Sequence, residues 1–265
     1  MVIKKSLKKH GNLGLRALAL ASTLVFSACA AEGESEADLA AGEEEPEVAA
    51  AVSEATDPGA NQPGKVATIG DSWMANTLGT GNAITGALRR AGHPYTNYAV
   101  QGTMLLKNNI FGQSVINQAR RAVATKRFKT IVMTGGGNDI IENATLQRDC
   151  ARTPIGPDCT KKLKDIGDAM VQLWDAMGDN GIEDVVYVSY ANAAGNAAGA
   201  NIASAERLKV ACAEATKIRC HYVDTNPFVP NKGALLLDGI HPRRPINDQI
   251  AAEVYRVLEA EQTYR

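Results

Sequence analysis

Four short groups of residues, met in one order along the chain, contain the side chains that acyl transfer through a serine requires. They are Gly70-Asp71-Ser72, Gly102, Gly137-Asn138-Asp139 and Asp238-Gly239-Ile240-His241. Such chemistry needs a nucleophile, a general base, a carboxylate that orients the base, and hydrogen-bond donors for the developing oxyanion. A serine, a histidine, an aspartate and an asparagine amide supply these parts here.

Each group taken alone also has a simple structural explanation. The first two could be turns after strands, and the glycines before Asn138 suit a loop with positive φ angles. Asp238 and His241 could cap a helix. The combination in this order favours a catalytic site. Beyond the N-terminal segment, the other histidines are His93 and His221, and neither has comparable neighbours.

Strand and helix patterns alternate along residues 64–265, and this alternation indicates the elements that must position the four groups. Predicted strands cover residues 66–69, 95–100, 130–133, 185–190 and 218–223. Predicted helices cover residues 74–91, where Gly79 and Gly81 interrupt the pattern, and residues 113–125, 161–177, 202–216 and 247–261. The pattern predicts right-handed crossovers and a three-layer α/β/α sandwich with a mainly parallel five-stranded sheet. Folds of this kind bind ligands at the carboxyl ends of their strands.

The candidate residues follow the predicted strands. Ser72 comes just after the first strand and at the start of a predicted helix, where its own N–H could serve as an oxyanion donor. Gly102 follows the second strand and Asn138 the third. Asp238 and His241 lie in the loop before the last helix, and their spacing lets the carboxylate reach the imidazole. We therefore expect all four groups at one edge of the sheet.

The order and spacing of these motifs resemble the SGNH (GDSL) hydrolase family over about residues 64–260, which implies a flavodoxin-like sandwich. The resemblance implies that Ser72 attacks the acyl carbon, His241 accepts its proton, and Asp238 orients His241. The N–H groups of Ser72 and Gly102 and the Asn138 amide then hold the oxyanion. No metal or other cofactor is required. The nucleophile elbow of an α/β-hydrolase has the sequence Gly-x-Ser-x-Gly, and it is excluded here because Met74 occupies the position of the second glycine.

The prediction is a carboxylic ester hydrolase that acts on a small or short-chain acyl ester through an acyl-enzyme. An O-acetyl ester of an envelope or environmental carbohydrate is one such small-molecule substrate. We expect Trp73, the segment 104–106 and the segment 191–201 to shape the site, and the small, polar last segment favours an open, shallow surface. Two alternatives remain: an O-acyltransferase that uses the same residues, and a non-catalytic envelope lipoprotein on this scaffold.

Residues 1–28 resemble a lipoprotein signal peptide. A cationic start is followed by an apolar run at 17–26, which is too short to span a membrane, and small residues precede Cys29. The resemblance implies export, lipidation of Cys29 and anchoring in the cell envelope, with Ala30 favouring the outer membrane. Phe26 stands where leucine is usual. Ordinary cleavage near Ala28 or Ala31, with release of a soluble protein, therefore remains an alternative.

Residues 29–62 form a predicted disordered tether. Ten acidic residues occur between positions 30 and 62 without a lysine, an arginine or an aromatic residue. High net charge with little to bury keeps such a segment solvated and extended. Of the 28 basic and 29 acidic residues in the chain, 23 and 19 remain for the domain at 63–265. This small excess of basic residues gives no argument for binding nucleic acid. Separately, we expect the protein to be a monomer.

The cysteines of the predicted domain fit an exported protein. Cys150, Cys159, Cys212 and Cys220 allow three connectivities, and closeness in sequence favours Cys150–Cys159 and Cys212–Cys220. Free buried thiols are the alternative. The first bridge would fasten the segment 147–160, which Pro154 and Pro157 indicate as a loop.

Overall fold

Each of the five predicted strands is present in the computed structural model, which describes residues 65–75, 79–141, 143–196 and 198–263. The strands are β1 (Val66–Ile69), β2 (Tyr95–Asn97), β3 (Thr130–Met133), β4 (Asp184–Val188) and β5 (Arg219–Val223). They form one parallel sheet in the order β2-β1-β3-β4-β5. The chain passes from β1 to β2 on one side of β1 and then crosses to β3 on the other side. The connections therefore diverge between β1 and β3. A crevice for ligands forms at such a point.

Helices cover both faces of this sheet, as the predicted three-layer sandwich requires. They are α1 (Thr80–Arg90), α2 (Val115–Ala124), α3 (Asn138–Ile141), α4 (Ala144–Cys150), α5 (Pro157–Asp179), α6 (Ala198–Glu214) and α7 (Arg244–Glu261). Helices α1 and α7 pack together on one face, whereas α2, α5 and α6 contribute to the core on the other. Strands β1, β3 and β4 are buried along their whole length, as expected for central parallel strands.

The helix predicted from about Met74 begins later, at Thr80. After Ser72 the chain makes a single turn, in which the N–H groups of Met74 and Ala75 donate to the carbonyl of Asp71 over 3.0 and 2.8 Å. Gly81 lies closely against this turn, since a Cβ on Gly81 would lie 1.9 Å from the carbonyl oxygen of Met74. Placing Ser72 at the start of a long helix was therefore wrong, because this tertiary contact interrupts the helical pattern.

The segment predicted as a loop between residues 147 and 160 is mostly helical. Helix α4 continues to Cys150, and α5 begins at Pro157. A proline in the first helical turn gives up only an N–H that has no helical partner, so Pro157 starts a helix instead of ending one. The loop is confined to residues 151–156.

The predicted signal peptide, the lipidation site Cys29 and the acidic tether lie outside the described residues. Within the ranges that the structure covers, no helix combines the length and the apolar character needed to cross a membrane.

Disulfide bonds join the four cysteines in the pairing that sequence closeness favours. Cys150 at the end of α4 is bonded to Cys159 in the first turn of α5, and Cys212 of α6 to Cys220 of β5. The Cα–Cα separations of 5.0 and 5.2 Å lie in the ordinary disulfide range. Each bond therefore fastens one element to the next along the chain.

We predict that replacing Cys212 and Cys220 together by serine lowers the free energy of unfolding by roughly 2–4 kcal/mol, because the open chain gains conformational freedom when unfolded. Urea unfolding of the oxidised protein and of this variant measures the difference. Thiol titration of the unfolded, unreduced wild-type domain should find none of its four cysteines free. Two or more reactive thiols would contradict the pairing.

Candidate active site

Ser72, His241 and Asp238 form a continuous chain of hydrogen bonds at the carboxyl edge of the sheet. The Ser72 Oγ lies 2.8 Å from Nε2 of His241, and Nδ1 of His241 lies 2.7 Å from Oδ2 of Asp238. The three residues come from the turn after β1 and from the loop between β5 and α7. Their order of contact is that of a nucleophile, a general base and an orienting carboxylate.

A tight turn holds Asp238 and His241 in place. The second oxygen of Asp238 accepts the backbone N–H groups of Ile240 and His241 over 2.8 and 3.0 Å, and Leu236 N–H donates to the carbonyl of His241 over 2.7 Å. Burial alone would raise the pKa of Asp238, but hydrogen bonds from these N–H groups and from the imidazole hold it below its ordinary value. The carboxylate therefore stays ionised and can stabilise an imidazolium.

Asp71 organises the turn that carries Ser72. Its side chain is only 2% exposed, and one oxygen accepts the N–H of Trp73 over 3.1 Å and the hydroxyl of Thr134 over 3.2 Å. The other oxygen accepts the hydroxyl of Tyr190. Burial raises the pKa of Asp71, although these hydrogen bonds oppose the rise. The residues on both sides of the nucleophile are thus fixed from the protein interior.

Gly102 lies in an exposed turn after β2, in a conformation with φ +69° that favours glycine. The buried Gln118 of α2 ties this turn to the end of β1: its amide accepts the N–H of Gly70 over 2.6 Å and donates to the carbonyl of Gly70 and the hydroxyl of Thr103. The predicted donor Gly102 and the nucleophile turn are therefore linked. Gly102 does not belong to the pocket lining given below.

Asn138 follows β3 and begins the short helix α3. Its amide nitrogen donates to the carbonyl of Thr103 over 2.9 Å, which leaves its second hydrogen for another acceptor. The neighbouring Asp139 accepts the N–H groups of Leu105 and Leu106 over 2.7 and 2.8 Å, and burial raises its pKa. These bonds join the turns after β2 and β3, which carry the two predicted oxyanion donors besides Ser72.

A pocket of about 220 Å³ opens beside Ser72. Its lining includes Trp73, Asn138 and Asp238 from the predicted site. Apolar residues of the lining include Ile140, Ile141, Ala151, Ala194 and Ala200, and polar ones include Gln147, Asn196, Asn201, Ser204 and Lys232. Residues 191–201 are small and polar as expected, but part of this segment forms a pocket wall and not an open, shallow surface.

Some residues singled out from the sequence lie elsewhere. Met104 and Leu105 are buried in the core, and none of residues 104–106 lines the pocket. His221 pairs with Asp184 over 2.9 Å, and His93 lies 3.7 Å from Glu259. In the described parts of the chain, no group of three or more His, Cys, Asp or Glu side chains is arranged to hold a metal ion.

The structure also assigns supporting contacts that the sequence reasoning missed. Gln118 and Thr103 fix the Gly102 turn, and Tyr190 and Thr134 fix Asp71. A glutamine inside a helix has no local signal for such a contact. The available indication was the polar character of Thr134, directly after β3, and of Tyr190, two residues after β4, at the same sheet edge.

We predict that kcat/KM for an ester falls on acidification, because a protonated imidazole cannot accept the proton of Ser72. The pKa of Asp238 is lower in the folded protein than its ordinary value. The stabilisation by its ionised carboxylate is therefore fully present above the ordinary pKa, and it is lost only as the pH falls through the lower pKa of the folded protein. Asp238 therefore adds no second step near neutrality. A plot of log kcat/KM against pH should have an acid slope of one. The raised pKa of Asp71 is the other source of a second step, so Asp71→Asn is the control. An acid slope of two that persists in Asp71→Asn would contradict the prediction of a single step.

Comparison with known proteins identifies the fold. The sequence matches no protein-family model, and no curated protein is significantly similar to it. Among solved structures, TesA has a TM-score of 0.51 at 15% identity, and the match covers 74% of this chain and 98% of the TesA chain. The acetyl xylan esterase AlAXEase has a TM-score of 0.53 at 15% identity, and the match covers 73% of this chain and 98% of the esterase. A member of the lipolytic protein G-D-S-L family from Veillonella parvula has a TM-score of 0.52 at 15% identity, with coverages of 73% and 97%.

The resemblance inferred from the four motifs is therefore confirmed at the level of the fold. The residues that the motifs single out as nucleophile, base and orienting carboxylate are in hydrogen-bond contact at the strand ends. This chain has the fold of the SGNH (GDSL) hydrolases.

Proposed function

We propose that this protein is a serine esterase that hydrolyses a short-chain acyl ester through an acyl-enzyme intermediate. The hydrogen-bonded chain Ser72–His241–Asp238 beside an open pocket carries this proposal. The fold shared with lipolytic and acetyl xylan esterases supports it.

In the first half of the reaction, Ser72 Oγ bonds to the acyl carbon and its proton passes to Nε2 of His241. The negative charge that develops on the acyl oxygen needs fixed donors, and the free amide hydrogen of Asn138 is one. The predicted N–H donors of Ser72 and Gly102 complete the set. Asp238 stabilises the imidazolium. The bond to the alcohol oxygen then breaks, and His241 returns the proton to the leaving alcohol.

In the second half, water repeats the attack on the acyl-enzyme. His241 accepts a proton from the water, whose oxygen bonds to the acyl carbon, and returns it to Ser72 Oγ as the ester bond to Ser72 breaks. The carboxylic acid leaves and the serine is restored. An alcohol that replaced this water would make the same site an acyltransferase.

The size of the pocket favours small acyl groups. A volume of about 220 Å³ lies below the roughly 300–1,000 Å³ typical of sites for drug-sized ligands. Ile140 and Ile141 of α3 and Ala151, directly after α4, provide an apolar wall for a few methylene groups. We propose that acetyl to butyryl esters fit and that long fatty acyl chains do not.

Polar side chains at another part of the pocket favour an alcohol with several hydroxyl groups. Asn196, Asn201, Ser204 and Lys232 line it, and Lys232 Nζ donates to Oδ1 of Asn196 over 3.0 Å. Amide, hydroxyl and ammonium groups of this kind are suitable partners for sugar hydroxyls. An O-acetylated carbohydrate is therefore the substrate class that we propose.

The test is hydrolysis of p-nitrophenyl acetate, butyrate and octanoate, together with acetate release from acetylated sugars. We expect turnover of the acetate and butyrate esters and slow turnover of the octanoate. Ser204→Ala is a matched control for p-nitrophenyl acetate, because Ser204 lies outside the triad and this ester lacks the sugar hydroxyls that Ser204 is proposed to bind. It should keep its activity on p-nitrophenyl acetate, whereas Ser72→Ala should not. Absence of hydrolysis with acetylation of an added glycan would overturn the esterase proposal in favour of the acyltransferase.

We also propose that the protein is exported and held at the cell envelope through a lipid on Cys29, with residues 30–62 as the tether. The cationic, apolar and small-residue sequence before Cys29 supports this proposal. Wild-type protein should fractionate with membranes, and Cys29→Ser should shift to the soluble fraction because it cannot carry the acyl chains. A Cys29→Ser protein that fractionates as fully with membranes as the wild type would contradict lipidation as the anchor.

A further inference from the structure

Tyr190 occupies a central position among the turns of the site. It lies two residues after the end of β4, is half-buried, and lines the pocket beside Ser72. Its hydroxyl donates to Asp71, the residue before the nucleophile. Its ring meets the indole of Trp73, the residue after the nucleophile, edge to face at 5.4 Å and 81°. Tyr190 therefore contacts both neighbours of Ser72.

The same side chain contacts the turn that carries Asn138. A Cβ on Gly137 would lie 2.9 Å from Cζ of Tyr190, so the hydroxyl-bearing edge of the ring lies directly against the Gly137 backbone. The nearby backbone N–H of Gly137 opposes the rise in the pKa of the Tyr190 hydroxyl. One hydroxyl thus faces the turn after β1 through Asp71 and the turn after β3 through Gly137.

We propose that Tyr190 is a positioning residue whose hydroxyl sets the distance between the nucleophile Ser72 and the oxyanion donor Asn138. This inference rests on the proposed esterase function. Tyr190 belongs to none of the four sequence motifs.

The electrostatics of the Tyr190 hydroxyl and the Asp71 carboxylate suit this role. Burial, followed by the nearby carboxylate of Asp71, raises the pKa of Tyr190 well above its ordinary value, so the hydroxyl keeps the proton that it donates. Asp71 also holds the N–H of Trp73. A shift of Asp71 would therefore move the chain on both sides of Ser72.

Small displacements at this position have large kinetic effects. The acyl carbon must lie within reach of Ser72 while its oxygen lies within reach of Asn138. An error of about 1 Å in such a geometry can reduce the rate by roughly a hundredfold. Loss of the Tyr190 hydroxyl would loosen two turns that carry reacting groups, whereas the ring would still fill its space against Trp73.

The test is Tyr190→Phe, assayed with p-nitrophenyl acetate. We expect kcat to fall by about 10- to 100-fold, with KM changed by no more than about twofold. The decisive arm is the same substitution in Asn138→Ala. There the donor is already absent, so Tyr190→Phe should lower kcat by no more than about threefold. An unchanged kcat in the single variant, or the full loss repeated in the double variant, would overturn the proposal.

Tyr187→Phe is the matched control. The Tyr187 hydroxyl is also buried and donates to the carbonyl of Gly135 over 3.0 Å, but it makes no hydrogen bond to Asp71. Its loss should lower thermal stability while kcat stays within about twofold, since a buried carbonyl left without its hydrogen bond destabilises the fold wherever it lies. An equal fall of kcat in Tyr187→Phe would show a general loosening of the loop and contradict the specific role of Tyr190.

Gly137→Ala provides a second variant if Tyr190→Phe does not fold. The added methyl group would press on Tyr190 without removing a hydrogen-bonding group. A folded Gly137→Ala protein with wild-type kcat would overturn the proposal. Failure of the esterase proposal is seen separately, because wild-type protein would then hydrolyse no ester. In that case, the rate at which a fluorophosphonate labels Ser72 replaces kcat in every comparison.

Discussion

Ser72→Ala should lose nearly all esterase turnover while remaining folded. The variant lacks the oxygen that forms the acyl-enzyme, and only binding and the oxyanion donors remain. Comparable losses in a serine hydrolase reach about a millionfold in kcat. The side chain is small and its only described partner is His241, so circular dichroism and the melting temperature should change little. Initial rates with p-nitrophenyl acetate, corrected for spontaneous hydrolysis, measure the effect.

His241→Ala should be nearly as inactive, because Ser72 then has no base. Asp238→Ala should be less damaging by at least about tenfold, since an imidazole that is poorly oriented still accepts a proton. His93→Ala and His221→Ala are the matched controls. Their imidazoles lie elsewhere, beside Glu259 and Asp184. Folded Ser72→Ala or His241→Ala with more than about a tenth of wild-type turnover would refute the assignment.

Asn138→Ala should lower kcat by roughly a hundred- to a thousandfold, or about 3–4 kcal/mol in the barrier, through loss of one oxyanion donor. KM should change much less, because the donor acts on charge that develops only in the transition state. Steady-state kinetics with one ester separate these two constants. The effect should be smaller than that of Ser72→Ala, since the covalent route stays open.

The control for Asn138 is Asn201→Ala. Asn201 is also an asparagine of the pocket wall, and its amide donates to the carbonyls of Ala191, Asn192 and Ala194 over 3.2, 3.3 and 2.6 Å. Its removal should reduce stability, while kcat on p-nitrophenyl acetate falls by less than about tenfold. A normal kcat in folded Asn138→Ala would exclude the amide as an oxyanion donor.

The central strands and the contacts among Ser72, Asp238 and His241 could be predicted from the sequence for physical reasons. Strands β1 and β3 are short and buried on both faces, so their apolar runs are unbroken. Parallel strands end at one edge, which places Ser72 and Asn138 together without knowledge of any loop. Asp238 and His241 need only one turn of chain to meet.

The remaining features depend on contacts between distant segments. The start of α1 depends on Gly81 fitting against Met74, and the burial of Leu105 on the pairing of its N–H with Asp139. Tyr190 is 119 residues from Asp71, and Gln118 is 48 residues from Gly70. No local periodicity encodes such pairs, because each depends on the packing of complete elements. Ile140 and Ile141 of α3 and Ser204 of α6 were missed as pocket walls for the same reason.

Covalent labelling of the nucleophile tests the central claim most directly. A fluorophosphonate should react with the wild-type protein so that Ser72 Oγ bonds to phosphorus and fluoride leaves. Intact mass should show one adduct per chain, peptide mapping should place it on Ser72, and esterase activity should fall in proportion to labelling. His241→Ala should label far more slowly. Complete loss of activity with the adduct on another residue, or full activity with Ser72 labelled, would contradict the account.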